Sequence, residues 1–140
     1  MVTRSLLDAV GPEGSIVVYS SYERTTIRKL AEEFPQFEER LLALCDRIFD
    51  LYPVVTKHYY HPDFHGSYSL KAVLPILVPG LTYDDLEIQG GSNASVAFAQ
   101  MIAPGTQEND RQRIRGELLD YCKRDTQAMV EVLEALRSVA

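Results

Sequence analysis

Ser15-Ile16-Val17-Val18-Tyr19-Ser20-Ser21-Tyr22-Glu23 is the stretch that sets the fold class. Its first five residues are short, rich in β-branched side chains, and bounded by Gly14 before and serines after, which predicts a buried strand. Ser20-Ser21-Tyr22-Glu23 then opens a helix that runs to about Phe34, where Pro35 stops it. Ser20 with Glu23 also matches a capping box, in which each side chain satisfies the other's free backbone donor. A carboxylate in the first helical turn after a strand could instead face a metal ion, though capping is the plainer reading. Both roles compete for Glu23.

Outward from this junction the chain reads as mostly helical. Leu6 to Val10 ends a short helix before the Gly11-Pro12-Glu13-Gly14 turn. Gln36 to Phe49 reads as a helix with Phe37, Leu41, Leu44, Cys45 and Ile48 on one face. Asp50 to Gly66 is irregular and aromatic, with a short strand expected around Lys57 to Tyr60. Ser69 is placed to cap Leu70 to Leu77, Gly80 to Gly91 is a loop, and Ala94 to Ile102 is a helix. Asp110 to Leu136 forms one long or kinked helical region. A single clear strand cannot make a sheet, so part of a fold is expected to come from elsewhere.

The long helix carries the most telling anomaly. Leu118, Cys122, Met129, Leu133 and Leu136 form an apolar stripe, and Asp125 lies on it with Tyr121 one turn before. A carboxylate beside a buried stripe is costly unless it is paired, hydrogen-bonded or metal-bound. Local pairing at the stripe's edge is the plainer alternative to a metal.

Other groups point less sharply. His58, His61 and His65 with Asp63 have a spacing that could ligate zinc, or they pack against Tyr59, Tyr60 and Phe64. Asp84-Asp85-Leu86-Glu87 reads as a solvated acidic turn or a helix cap. No phosphate-binding glycine loop and no Gly-x-Ser-x-Gly elbow is present.

The 140 residues suit a single domain, 46% hydrophobic and 24% charged, with a real core. A net charge of −6 argues against broad basic-surface binding of nucleic acid but not against an acidic metal centre acting on it. Cys45 and Cys122 both fall on apolar helix faces and are expected as buried free thiols. Apolar runs are too short to cross a bilayer and nothing at the N-terminus reads as a signal peptide, so no membrane partner and a cytoplasmic location are expected.

Four short stretches stand in a distinctive order: Tyr19-Ser20-Ser21-Tyr22-Glu23, Asp50-Leu51-Tyr52-Pro53, Gly66-Ser67-Tyr68-Ser69-Leu70-Lys71, and Tyr121 to Thr126. Together they resemble an uncharacterised bacterial domain family related to the ribonuclease-H-like 3′–5′ exonucleases of the DEDD class, in its tyrosine subclass. That resemblance implies the C-terminal portion of a ribonuclease-H-like α/β fold, predominantly helical with one or two strands. It also implies a metal-dependent exonuclease-like domain in which carboxylates hold paired Mg²⁺ or Mn²⁺ ions at a phosphodiester. Glu23 and Asp125 would be the metal ligands and Tyr121 would orient the attacking water, while Asp50 would play a structural part. His58 to Tyr68 would lie near the substrate groove, with His65, Ser69 and Lys71 as substrate-binding residues.

The family's first Asp-x-Glu motif and the three antiparallel strands expected beside Ser15 to Tyr19 are missing, and Asp85-x-Glu87 does not replace that motif. The carboxylate set is therefore incomplete and the chain alone is expected to be inactive. Its bare strand edges invite the upstream part of the same polypeptide, a second chain, or a homodimer by strand pairing. The rival reading is a non-catalytic helical interaction module that binds protein or nucleic acid.

Overall fold

The computed structural model describes residues 2–140 and falls into two compact units, residues up to Tyr60 and His61–Ala140. Across both, it is a mostly helical α/β structure. No helix is long and apolar enough to cross a membrane among the described residues.

The first unit runs α1 (Val2–Val10), β1 (Ile16–Val18), α2 (Tyr22–Glu33), a 3-10 turn at Pro35–Phe37, α3 (Glu38–Asp46), β2 (Ile48–Asp50) and α4 (Tyr52–His58). β1 and β2 pair in parallel, with Ile16 beside Ile48, Val17 beside Phe49 and Val18 beside Asp50. The connection through α2 and α3 is the helical crossover that parallel strands need.

β2 corrects the sequence expectation of a helix running on to Phe49. Leu41, Leu44 and Cys45 are buried with Leu7, Ile27 and Ala31, and Ile48 packs against that same cluster. Ile48 thus keeps helical spacing with residues whose helix has already ended at Asp46. The backbone decides otherwise: Ile16 N donates to Arg47 O at 2.8 Å, and Leu51 N donates to Val18 O at 2.9 Å. The strand expected at Lys57 to Tyr60 is also absent, because Lys57 and His58 close α4 and Tyr59, though extended, pairs with no strand.

One arginine fixes the turn before β1. Arg47 donates from Nε to Gly14 O and from its terminal nitrogens to Gly11 O, both at 2.7 Å, and to Glu13 O. Gly11 and Gly14 sit at φ +68° and +90°, a backbone that a side chain would strain.

The second unit contains a 3-10 turn at Pro62–Phe64, then α5 (Leu70–Leu77), α6 (Gly91–Ile102) and α7 (Glu108–Val139). α5 and α6 both pack on α7. Phe64, Val73, Leu74, Tyr83, Ile88, Ile114, Ala128 and Val132 are its buried apolar residues. Ser69 caps α5 as expected, its Oγ accepting from Ala72 N at 3.3 Å.

Candidate functional site

Of the stripe read off the sequence, Leu118, Met129, Leu133 and Leu136 are half-buried and Cys122 is exposed, while the most deeply buried row of α7 lies beside it. Ile114, Ala128 and Val132 are buried and Leu118, Tyr121 and Asp125 are half-buried, at alternating spacings of four and three. Cys122 is exposed, which corrects its expected burial, whereas Cys45 is buried. The helix carries apolar residues on more than one side, with Leu119 and Val130 left in solvent, so packing on α5 and α6 selects the face.

Asp125 therefore lies within the buried row, and its compensation is visible. The Tyr83 hydroxyl donates to Asp125 Oδ1 at 2.8 Å. Tyr83 comes from the α5–α6 loop and is only 3% exposed. Burial first, and then the hydrogen bond to Asp125, push the Tyr83 phenol well above its ordinary range. Among the described residues no buried polar side-chain atom lacks a partner. Asp125 Oδ2 makes no hydrogen bond there, so it reaches solvent.

Tyr121 leans on Tyr83, their ring centroids 6.2 Å apart, and its phenol is likewise raised by burial and then by the Asp125 charge. Arg124 holds the same loop, donating to Asp85 Oδ1 and Oδ2 at 2.7 and 2.9 Å and to the Thr82 carbonyl. Asp85 is exposed in a turn, as expected, and also accepts an ion pair from Arg124. Sequence gave no local signal for Tyr83 or Asp85, since each meets α7 across roughly forty residues of chain.

The strand-helix junction belongs to the first unit. Helix α2 begins at Tyr22 with Ser21 as its cap residue, one position later than the capping box required. Ser20 Oγ instead accepts from Tyr22 N at 3.1 Å and donates to Glu23 Oε2 at 3.3 Å. Half-buried Glu23 is thus held by a side chain rather than by the Ser20 amide. At the end of β2, Asp50 Oδ1 accepts from Tyr52 N at 2.9 Å and closes the turn into α4. Tyr19 stacks edge-on against Tyr52 at 5.8 Å, and burial, Tyr52 and Asp50 all raise its phenol.

The expected substrate-binding residues occupy the second unit. His65 is exposed at φ +50°, Ser69 is engaged in capping, and Lys71 Nζ donates to Gln89 Oε1 at 3.1 Å. His61 Nδ1 accepts from Asp63 N at 3.2 Å. Among the described residues no three His, Cys, Asp or Glu side chains are grouped to hold a metal ion. The residues present do not fit a zinc site at the histidines, nor do they complete an all-carboxylate centre.

This arrangement defines the chain as a mostly helical α/β protein with carboxylates tied into local hydrogen bonds. Residues 1–69 match a domain family described as a domain of unknown function (DUF2779). An uncharacterised protein of Mycoplasma genitalium is 25% identical over 132 residues, covering 85% of this chain and 20% of its own length. The chain thus spans about a fifth of the curated relative it matches. No solved structure matches.

Proposed function

We propose that these residues are part of a cytoplasmic, ribonuclease-H-like, 3′–5′ exonuclease-like domain acting on nucleic acid, with a carboxylate set that is incomplete here. The observation that carries this reading is the edge formed by β1 and β2. Two parallel strands end side by side, Asp50 is in register with Val18, and Glu23 stands in the first turn of the helix that β1 feeds. Open α/β sheets take their ligands at this carboxyl edge. Within the second unit, taken by itself, Asp125 has one oxygen held by Tyr83 and the other open to solvent, which leaves it free to act as a ligand. Hydrolysis is not assigned to these residues alone, because the donors present do not make a metal centre.

Thermal melting with and without millimolar Mn²⁺, on the wild type and on Asp125→Asn, tests the proposal. With the carboxylate set incomplete, little or no Mn²⁺ shift is expected of these residues alone. A rise in melting temperature that Asp125→Asn abolishes would show that Asp125 anchors metal even so, since a ligand that binds only the folded state stabilises it. No shift in the wild type would mean that the acids present cannot hold metal alone. The second reading, a non-catalytic interaction module, would then lead; it is favoured by the exposed apolar surface of α6, where Phe98 is 51% and Ile102 57% exposed.

A further inference from the structure

We infer that the cavity between α1 and α3 binds a small organic carboxylate, whose apolar body fills it and whose anionic head meets Arg47. The inference stands apart from the exonuclease reading, because the cavity lies wholly within the first unit and excludes Glu23, Asp50 and Asp125. It has a volume of about 500 Å³, within the range of small-molecule sites. Leu7 of α1, Pro12 of the following turn, and Ala43 and Leu44 of α3 give it apolar walls. Arg40, Arg47 and Asp8 are the charged groups that line it. Apolar walls with a few placed polar groups are the usual make-up of such a site.

Arg47 is a cation prepared in advance. Its guanidinium is half-buried and already fixed by the carbonyls of Gly11, Glu13 and Gly14. A ligand that meets it has no long, mobile side chain to immobilise, a cost that binding to a free surface arginine carries. Those three bonds use three of the five N–H donors of the group and leave two. They leave the charge as well. Every bond runs to a neutral carbonyl, and no carboxylate pairs with Arg47 among the described residues.

The lining sets the chemistry of the ligand. Arg40 Nη2 stands 3.7 Å from Asp8 Oδ1, so those two offset each other. Two arginines less one aspartate leave +1 on the lining, in a chain that carries −6 overall. A single anionic head balances it, and a carboxylate takes guanidinium donors in charge-assisted bonds. An apolar body is needed too, since Leu7, Pro12, Ala43 and Leu44 offer nothing to a hydrated inorganic ion.

Two-dimensional proton–nitrogen NMR of the 140-residue chain, titrated with phenylacetate into the millimolar range, tests the inference. Saturable shifts are expected at the Arg47 Nε–H and at the backbone amides of Gly11, Ala43 and Leu44. Phenylacetamide lacks the charge and acetate lacks the body. Each is expected to bind at least about tenfold more weakly, the scale of losing a charged hydrogen bond or a buried ring. Ala43 is exposed on α3, so Ala43→Glu keeps the helix while setting a like charge in the cavity. That variant is expected to abolish the shifts with an unchanged circular-dichroism spectrum. Shifts that persist in Ala43→Glu, or that acetate reproduces equally, would overturn the inference and reduce it to ion pairing at surface arginines. Equal binding of phenylacetamide would also overturn it, by removing the Arg47 charge from recognition. No saturable shift with phenylacetate would overturn it outright and leave Arg47 as the clamp on the turn alone.

Discussion

Tyr83 and Asp125, 42 residues apart, meet in a single 2.8 Å hydrogen bond that reconciles a carboxylate with the buried row of α7. Arg124, the next residue back along the helix, grips Thr82 and Asp85 on either side of Tyr83. Consecutive residues of α7 therefore hold the α5–α6 loop by a phenol, a carbonyl and a carboxylate. An acid that looked costly in the sequence is an anchor in the fold.

Tyr83→Phe keeps the ring and removes only the donor. It is expected to destabilise the protein by about 1–3 kcal/mol, the usual loss when a half-buried charged acceptor goes unpaired. Asp125→Asn keeps an acceptor and should cost less, and the double variant should cost little more than Tyr83→Phe alone. Urea unfolding of the four proteins measures this coupling. Additive losses would show that the bond contributes nothing.

The same bond has a pH signature. The folded state raises the Tyr83 pKa, so the unfolded chain releases that proton first. Stability from this source is complete below the unfolded value of about 10 and declines as pH rises beyond it. Tyr19 and Tyr121, also raised, add to the decline in both proteins. The gap between wild type and Tyr83→Phe is therefore expected to narrow above pH ~10. Denaturant midpoints taken along an alkaline series would show it; a constant gap would place Tyr83's role outside its proton.

What could be read from sequence followed the range of the interactions. Ser15–Tyr19 was legible as a strand and Ser69 as a cap because their causes lie within a few residues. β2 was not, since Ile48 belongs to the α3 core by spacing and to the sheet by hydrogen bonds. The α7 stripe was shifted because both faces of that helix carry apolar residues and only its neighbours choose. Asp125 stood out as an anomaly, but nothing local in the sequence pointed to Tyr83.

Arg47→Lys tests the clamp on the turn before β1. Lysine keeps the charge but offers a compact point donor in place of a fork, so it cannot serve Gly11, Glu13 and Gly14 together. A loss of about 1–3 kcal/mol is expected, on the scale of losing hydrogen bonds from a charged group. Hydrogen exchange should rise first at Ile16 N, whose acceptor is the Arg47 carbonyl. Unchanged protection there would mean that the strand pair holds the turn without the side chain.

The two thiols should separate cleanly. Cys122 is exposed on α7, whereas Cys45 is buried against α2 with its thiol directed at Arg24 O, 3.9 Å away. A thiol reagent is expected to label one cysteine in the native protein and both in denaturant. Cys122→Ser should abolish the native reaction, and Cys45→Ser should leave it intact. Rapid native labelling of Cys45 would require the first unit to open.

Arg124 and Asp85 make a bidentate pair whose members differ in surroundings. The Arg124 side chain is 18% exposed and that of Asp85 is 63% exposed. Asp85 is held below the ordinary carboxylate range chiefly by the Arg124 hydrogen bonds, so its contribution persists above that range and disappears as pH falls through the depressed value. Asp85→Asn should lower stability slightly in dilute buffer and hardly at all in molar salt, because the exposed pair is screened. Arg124→Lys also weakens the hold on the Thr82 carbonyl, and that loss should survive salt. Urea midpoints for both variants at low and high ionic strength decide the matter. Equal salt sensitivity in the two would mean that Arg124 acts on the loop through Asp85 alone.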